Sequence, residues 1–310
     1  MVLLNLGFVF SLCLVVGCST SNWFLSVLMM EMMLLTIVFF GFTSYLLGQT
    51  VGSLKYFLVQ SLSSVLLFLG GLFGVYLLCN NQLTHLMIWA GFMLKLGIAP
   101  MHFWVLPVYK TLTYTTVGLV SSPMKVLPLL MMAQYFMYFM SGYDMYMWTI
   151  LSLGALSAYI GMTLGYYTRT LQSMLGASSV AHTGWFLLAV PSGTLHMYFF
   201  LYTISLLMCI MALNVAMSPL SCLMLLALGG LPPFSVFAGK LLVASSYITS
   251  NLTAVFLLLL LWFSSFSLYY YLKFGLTISL YPNNLRTWHV IDSMLLFANF
   301  FAGCILLIYF

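Results

Sequence analysis

Residues 83–106 read LTHLMIWAGFMLKLGIAPMHFWVL. The run is long enough to cross a bilayer, since a helix needs about 20 such residues. Inside it stand one lysine, Lys95, and two helix breakers, Gly97 and Pro100. A charge at the bilayer centre costs about 2.5–3.5 kcal/mol on insertion scales. Proline removes an amide donor and clashes with the preceding turn. Backbone freed at that depth is tolerated only where protein or water completes its hydrogen bonds. The stretch therefore predicts a broken membrane helix with a lysine held beside the break and a hydrated interior around it.

The rest of the chain agrees with this beginning. Of 310 residues, 64% are hydrophobic and only 4% carry a charge, which no soluble domain matches. A transmembrane β-barrel needs alternating polar and apolar residues, and these runs are continuously apolar. The predicted fold is an all-α polytopic membrane protein, one integral membrane domain over 1–310. The net charge of +5 does not point to nucleic acid, because the basic residues are scattered singly. Val2 to Cys18 has no basic n-region and no convincing cleavage site, so no cleavable presequence is expected. Cys13, Cys18, Cys79, Cys209, Cys222 and Cys304 show no C-x-x-C spacing and read as small buried hydrophobes, with no metal site among them.

Apolar runs and polar breaks such as Asn80-Asn81-Gln82 give eleven passes: 2–18, 23–47, 55–78, 83–106, 115–138, 145–165, 174–190, 195–216, 220–246, 251–273 and 290–309. With that count, Lys55, Lys110, Arg169, Lys273 and Arg286 all fall on the N-terminal side of the membrane. The opposite side holds one charged loop residue, Asp144. By the positive-inside rule the basic side is the cytoplasm or a mitochondrial matrix. Passes one to five (2–138) and six to ten (145–273) form a weak internal repeat. Each places a lysine in its fourth member, Lys95 and Lys240, beside a break; the second break is Gly229-Gly230-Leu231-Pro232-Pro233. Five passes is an odd number, so the copies are inverted, and inverted repeats with broken helices mark transporters.

Glu31, Lys95, Lys125 and Lys240 are four of only eleven charged residues, and all lie inside apolar runs. Snorkelling to an interface is the structural alternative for Lys95 and Lys240, but both stand several residues from a pass end. Lys125 lies mid-pass, with Ser121 and Ser122 one turn back. Glu31 has no charged residue in local helical reach, so its partner must come from another helix. Withdrawal from water favours the neutral form of an amine or a carboxyl, and an ion pair favours the charged forms. Making and breaking such a pair is a switch, so the four charges read first as a proton path.

The histidines carry less. His182 shares a helix face with Ser178 and reads equally as a proton relay or as a packing histidine. His102 follows Lys95 by seven residues, but Pro100 intervenes, which favours packing over relay. His85, His196 and His289 lie near pass ends and read as interfacial. Gly70-x-x-x-Gly74 and Gly161-x-x-x-Gly165 read as close helix contacts. The 23 methionines indicate adaptable packing, and Asn251-Leu252-Thr253 matches a glycan acceptor by chance.

Four segments carry a family resemblance. They are Asn22-Trp23-Phe24-Leu25 leading to Glu31-Met32, Lys95-Leu96-Gly97-Ile98-Ala99-Pro100-Met101-His102-Phe103-Trp104, Ser178-Ser179-Val180-Ala181-His182-Thr183-Gly184-Trp185, and Leu228-Gly229-Gly230-Leu231-Pro232-Pro233-Phe234 with Lys240. In this order they resemble the NADH dehydrogenase (ubiquinone) subunit 2 family, antiporter-like membrane subunits of respiratory complex I, over nearly the whole chain. Length and pass count resemble the animal mitochondrial form, which lacks three N-terminal helices of bacterial relatives. The resemblance implies that Glu31 couples to the neighbouring subunit's channel and that Lys95, on the first broken helix, is its partner. It makes Lys125 the central bridging lysine, and Lys240 the lysine of the second broken helix toward the exit. The chain departs from the family pattern at Met33 (often Asn), at Pro123-Met124 (usually Trp-Gln) and at Val236 (usually Gly).

The resemblance also implies a place and a role. The chain would translocate protons from matrix to intermembrane space within NADH:ubiquinone oxidoreductase, in the mitochondrial inner membrane, with its N-terminus in the matrix and its C-terminus in the intermembrane space. It would be enzymatic only within that assembly, binding no cofactor itself; NADH, FMN, iron–sulfur clusters and ubiquinone belong to the complex as a whole. Partners would be the other hydrophobic and accessory subunits and lipids such as cardiolipin. The rivals are a self-standing cation/proton antiporter, which would transport when isolated, and a scaffold without pumping, which would have no need of four buried charges.

Overall fold

The computed structural model describes residues 2–43, 47–76, 82–137, 144–215, 219–248, 254–280, 294 and 296–303. Among these residues there are thirteen α-helices and no strand. Cys79, Asn80, Asn81, Asn251-Leu252-Thr253, Arg286, His289 and Cys304 lie outside them, as do the side chain of Asp144 and most of the eleventh predicted pass. The chain divides into two compact units, Met1–Gly142 and Tyr143–Phe310.

Unit 1 holds α1 (Val2–Ser19), α2 (Trp23–Thr43), α3 (Leu47–Gly71, continued by π turns Leu72–Tyr76), α4 (Gln82–Leu96), α5 (Val105–Tyr109), α6 (Tyr114–Ser121) and α7 (Pro123–Tyr135). Here α2 packs between α1 and α3, α3 packs on α4, and α7 packs against α1, α2 and α4. Unit 2 holds α8 (Asp144–Tyr167), α9 (Leu171–Ala189), α10 (Leu195–Val215), α11 (Pro219–Gly229), α12 (Ser235–Tyr247) and α13 (Ala254–Leu280), with a last helical stretch at 296–303. There α8 packs on α9 and α13, and α10 packs on α11 and α12.

Among the described residues six spans are long and apolar enough to cross a membrane by themselves: Trp23–Thr43, Leu47–Gly74, Tyr114–Tyr135, Met147–Tyr167, Leu195–Asn214 and Ala254–Leu280. Eleven passes were expected from the sequence. The fourth and ninth fall short as single helices because a break divides each. The third begins eight residues before its predicted start at 55, and the tenth runs on to Leu280.

The two breaks share one backbone device. α4 ends on Gly97 at φ 70°, and the Ile98 amide donates to the Met93 carbonyl at 3.0 Å. α11 ends before Gly230 at φ 85°, and the Leu231 amide donates to Leu226 at 3.4 Å. Both are Schellman caps, which need a left-handed residue that glycine adopts without a Cβ clash. Pro100 and Pro232-Pro233 then prevent the helix from resuming at once. The fifth pass is interrupted too. Pro123 opens α7 directly after Ser122, where a proline's missing amide costs least.

Close packing follows the glycines. A Cβ on Gly161 would stand 2.6 Å from Ala181 Cα, so α8 and α9 approach backbone to backbone. Gly165 instead faces the Tyr270 ring of α13, so the two glycines of that motif serve different neighbours. A Cβ on Gly52 would lie 3.0 Å from Thr111 Cβ, which puts Lys55 and Lys110 at one end of unit 1. The Gly165–Tyr270 contact likewise puts Arg169 and Lys273 at one end of unit 2. All four basic residues are exposed. Of the described cysteines Cys13 and Cys209 are buried and Cys222 is half-buried. Cys18 is exposed, against expectation, because α1 turns that side away from its neighbours.

Candidate functional site

Unit 1 brings three of the four charges into one helix cluster. Lys95 occupies the last turn of α4, where the unpaired carbonyls favour a cation. Its ammonium Nζ lies 3.9 Å from Glu31 Oε1 on α2, the ion pair that Glu31 lacked locally. The lysine side chain is 3% exposed and the glutamate 32%. Glu31 lines an open groove of about 640 Å³ between α2 and α3, whose other walls include Phe24, Leu28, Val65 and Phe68. Neither Lys95 Nζ nor Glu31 Oε1 has a hydrogen-bond partner among the described residues.

The magnitudes leave this pair poised. At an effective dielectric near 20 the attraction is at most roughly 4 kcal/mol, and exposure of Glu31 reduces it. Holding a lysine in the membrane costs about 2.5–3.5 kcal/mol. The two are comparable, so neither the attraction nor the cost of burial dominates at this pair.

Lys125 is buried at 4% exposure near the start of α7, which packs against both α2 and α4. Ser121 and Ser122, one turn back, are both bonded within α6. Their hydroxyls donate to the Val117 and Gly118 carbonyls at 2.7 and 2.8 Å. Such back-bonding accommodates the end of α6, whose carbonyls lose a partner at Pro123. His102 sits in the segment between α4 and α5, half-buried. Because α4 stops at Leu96, its seven-residue spacing from Lys95 carries no helical meaning. His85 is half-buried and hydrogen-bonded through Nδ1 to the Tyr135 hydroxyl, so it is less interfacial than its place near a pass end suggests.

Unit 2 holds Lys240 by different chemistry. Its Nζ donates to the Gly229 carbonyl at 2.8 Å, capping the C-terminus of α11 from the first turns of α12. The ammonium also lies 5.7 Å from the Trp185 ring centroid. His182 and Lys240 line one cavity with Trp185, Ser264, Ser267 and Tyr270. Its volume of about 10 Å³ admits a single water centre. His182 Nδ1 is hydrogen-bonded to the Tyr198 hydroxyl at 2.8 Å, and its ring packs 4.7 Å from that of Tyr202. Ser178, the expected neighbour, donates to the Leu175 carbonyl.

Residues 20–219 match the family described as NADH:quinone oxidoreductase/Mrp antiporter, TM. The chain is 31% identical to NADH-ubiquinone oxidoreductase chain 2 of Albinaria caerulea, over 94% of each chain. It belongs to the NADH-ubiquinone oxidoreductase chain 2 family. The Lumbricus terrestris member is 32% identical, over 86% of this chain and 84% of that one. In fold, the chain is similar to a chain of respiratory complex I from Thermus thermophilus, at a TM-score of 0.79 and 23% identity, covering 97% of this chain and 76% of that chain.

In this chain 2 family member the sequence reading missed the uncharged members of both clusters. Gln60 on α3 is 1% exposed and its Nε2 donates to the Lys95 carbonyl at 3.4 Å. Tyr56, Tyr109, Tyr198, Tyr202 and Tyr270 are all almost fully buried. Gln60 was findable as a glutamine inside a membrane helix. The tyrosines were not, because the chain has 20 and an interfacial tyrosine reads the same.

Proposed function

We propose that this chain is a proton-translocating core subunit of respiratory complex I, NADH:ubiquinone oxidoreductase, in the mitochondrial inner membrane. The Glu31–Lys95 pair carries the reading: an ion pair of near-balanced energy inside a membrane helix cluster is a switch, not a staple. With Glu31 ionised, Lys95 holds its proton as an ammonium. When the Glu31 charge is neutralised or drawn toward its groove, the buried ammonium loses its counter-charge and releases the proton, with Lys125 as acceptor. In unit 2 Lys240 works against the Gly229 carbonyl, and His182 shares its water-sized cavity. The two units, 2–138 and 145–273 as read from the sequence, act as inverted copies. NADH oxidation and quinone reduction belong to other subunits, and this chain holds no redox centre. Its partners are those subunits and surrounding lipids, cardiolipin included.

Glu31→Gln tests this in the assembled complex. The variant should move fewer protons per NADH oxidised by quinone, while NADH oxidation by an artificial acceptor persists. An unchanged proton-to-electron ratio would remove the pair from the path. Orientation follows from the basic loop residues. The N-terminus faces the matrix, so Lys110 and Arg169 should both resist protease in mitoplasts and both be cut in inverted particles. Cleavage at the two from opposite sides would defeat the assignment.

A further inference from the structure

The eleventh predicted pass stands outside both repeats, and the charge pattern gives it no role. Its described part, residues 296–303, turns Phe297, Phe300 and Phe301 outward and buries Asn299 at 0% exposure. Gly303 is buried too, four residues on and on the same face. A buried asparagine on an otherwise apolar membrane helix has to find its partners on another helix. Asn299 finds them on both sides of the second break. Its Oδ1 accepts from the Ser235 hydroxyl at 2.6 Å and from the Ser235 amide at 3.4 Å, at the first residue of α12. Its Nδ2 lies 3.7 Å from Met224 Sδ on α11. A backbone N–H only donates, so it is the asparagine oxygen that must face α12.

The start of α12 needs such a partner. A helix leaves its first amides without an acceptor inside it, and Phe234, at the cap position, has no side-chain oxygen to offer. Ser235 and Val236 are both 0% exposed, so the acceptor has to come from the protein. Gly303 braces the same spot through its backbone. A Cβ there would stand 2.9 Å from the Phe234 carbonyl carbon and 3.1 Å from the Ser235 nitrogen, so the last helix rests directly on the chain of the break. The first break is braced from within. There Trp104 Nε1 donates to the Leu94 carbonyl at 2.9 Å, ten residues back in the same segment.

What this bracing sets is the reach of Lys240. The lysine follows Ser235 on α12, and its Nζ returns across the break to the Gly229 carbonyl of α11. The rise from Ser235 to Lys240 is about 7.5 Å, so a slide or tilt of the α12 start against α11 is carried straight to that bond. The cavity that Lys240 shares with His182 holds about 10 Å³, which leaves the side chain no room to follow a displaced helix. We infer that Asn299 is a positioning residue: it clasps α11 to α12 across the second break and so holds Lys240 Nζ in register with the Gly229 carbonyl and the His182 cavity. The inference rests on the reading of Lys240 as a proton-carrying group. It gives the eleventh pass a task that neither repeat performs for itself.

The test uses the assembled complex, with Lys240→Met as the reference. Asn299→Leu keeps the size of the side chain and removes the acceptor. Its proton-to-electron ratio should fall at least half-way to the Lys240→Met value, and the pH dependence of pumping should shift, with NADH oxidation by an artificial acceptor kept. Asn299→Asp keeps an oxygen facing Ser235, where a helix N-terminus favours it, and should restore most of the ratio. Phe300→Ala, on the outward face of the same helix, should change neither readout. A residue that serves packing alone would lower the yield and thermal stability of the complex, while the complex that forms pumps at the unsubstituted ratio and pH profile. That result in Asn299→Leu, beside a Lys240→Met that fails to pump, overturns the clasp and spares the role of Lys240. An Asn299→Asp no better than Asn299→Leu, or a Phe300→Ala as damaging, also overturns the clasp. Normal pumping in Lys240→Met overturns both. If Asn299→Leu does not assemble, Ser235→Ala decides on the same two readouts, and an unsubstituted ratio and profile there reject the clasp.

Discussion

Lys95→Met should abolish proton pumping by this subunit and leave NADH oxidation by artificial acceptors intact. Methionine keeps most of the packing volume of the lysine stem and loses the titrating amine. Glu31 then has no cation beside its buried Oε1, but about a third of its side chain faces the α2–α3 groove, into which the carboxylate can turn. The complex should therefore assemble. Quinone-linked turnover should fall as well if pumping and redox chemistry are tightly coupled, which makes the proton-to-electron ratio the quantity to measure. Lys95→Arg sharpens the result. Arginine keeps the charge next to Glu31, yet a guanidinium hardly deprotonates at any accessible pH. A lysine that works by releasing its proton makes Arg nearly as damaging as Met. A lysine that works as a fixed charge makes Arg a rescue. A normal ratio in Lys95→Met would take the residue off the path.

Lys240→Met should be the second large effect, and it should differ in kind. Lys240 donates a charged hydrogen bond to the Gly229 carbonyl at the end of α11. Such bonds contribute about 1.5–3 kcal/mol, and a cation at a helix C-terminus adds about 0.3–1 kcal/mol. Methionine removes both, so the break between α11 and α12 should loosen as pumping is lost. Thermal stability of the purified complex should drop along with the proton-to-electron ratio. Lys240→Gln separates the two roles. Its amide still offers a donor to Gly229 but carries no transferable charge, so stability should largely return while pumping stays impaired. Restored pumping in Lys240→Gln would make Lys240 a helix cap and nothing more.

The breaks were legible because they are local. Gly97 and Gly230 each end a helix through a cap closed within six residues, and the prolines after them forbid its continuation. Such chemistry is written in adjacent residues. The charges were legible for a related reason: in a chain this apolar, a lysine costing about 2.5–3.5 kcal/mol stands out against any packing explanation. Helix ends were less secure. Lys55 reads as the start of a pass, but α3 begins at Leu47, since a charge near a helix end can remain exposed while the helix continues around it.

What the chain determined alone was thus its class, its breaks and its list of charges inside apolar runs. Which group answers each charge was decided by tertiary packing. Glu31 needed a partner from another helix, and the bare residues allow any of three lysines. Lys95, 64 positions away, meets it at 3.9 Å because α3 packs against both α2 and α4. Lys240 was harder still, since its partner is a backbone carbonyl and every residue in the chain has one. His182 looked to Ser178 on its own helix and found Tyr198 on the next. The physical reason is common to all three. A side chain's covalent neighbours set its local backbone, whereas its hydrogen bonds in a dry interior are set by whichever helix face is pressed against it.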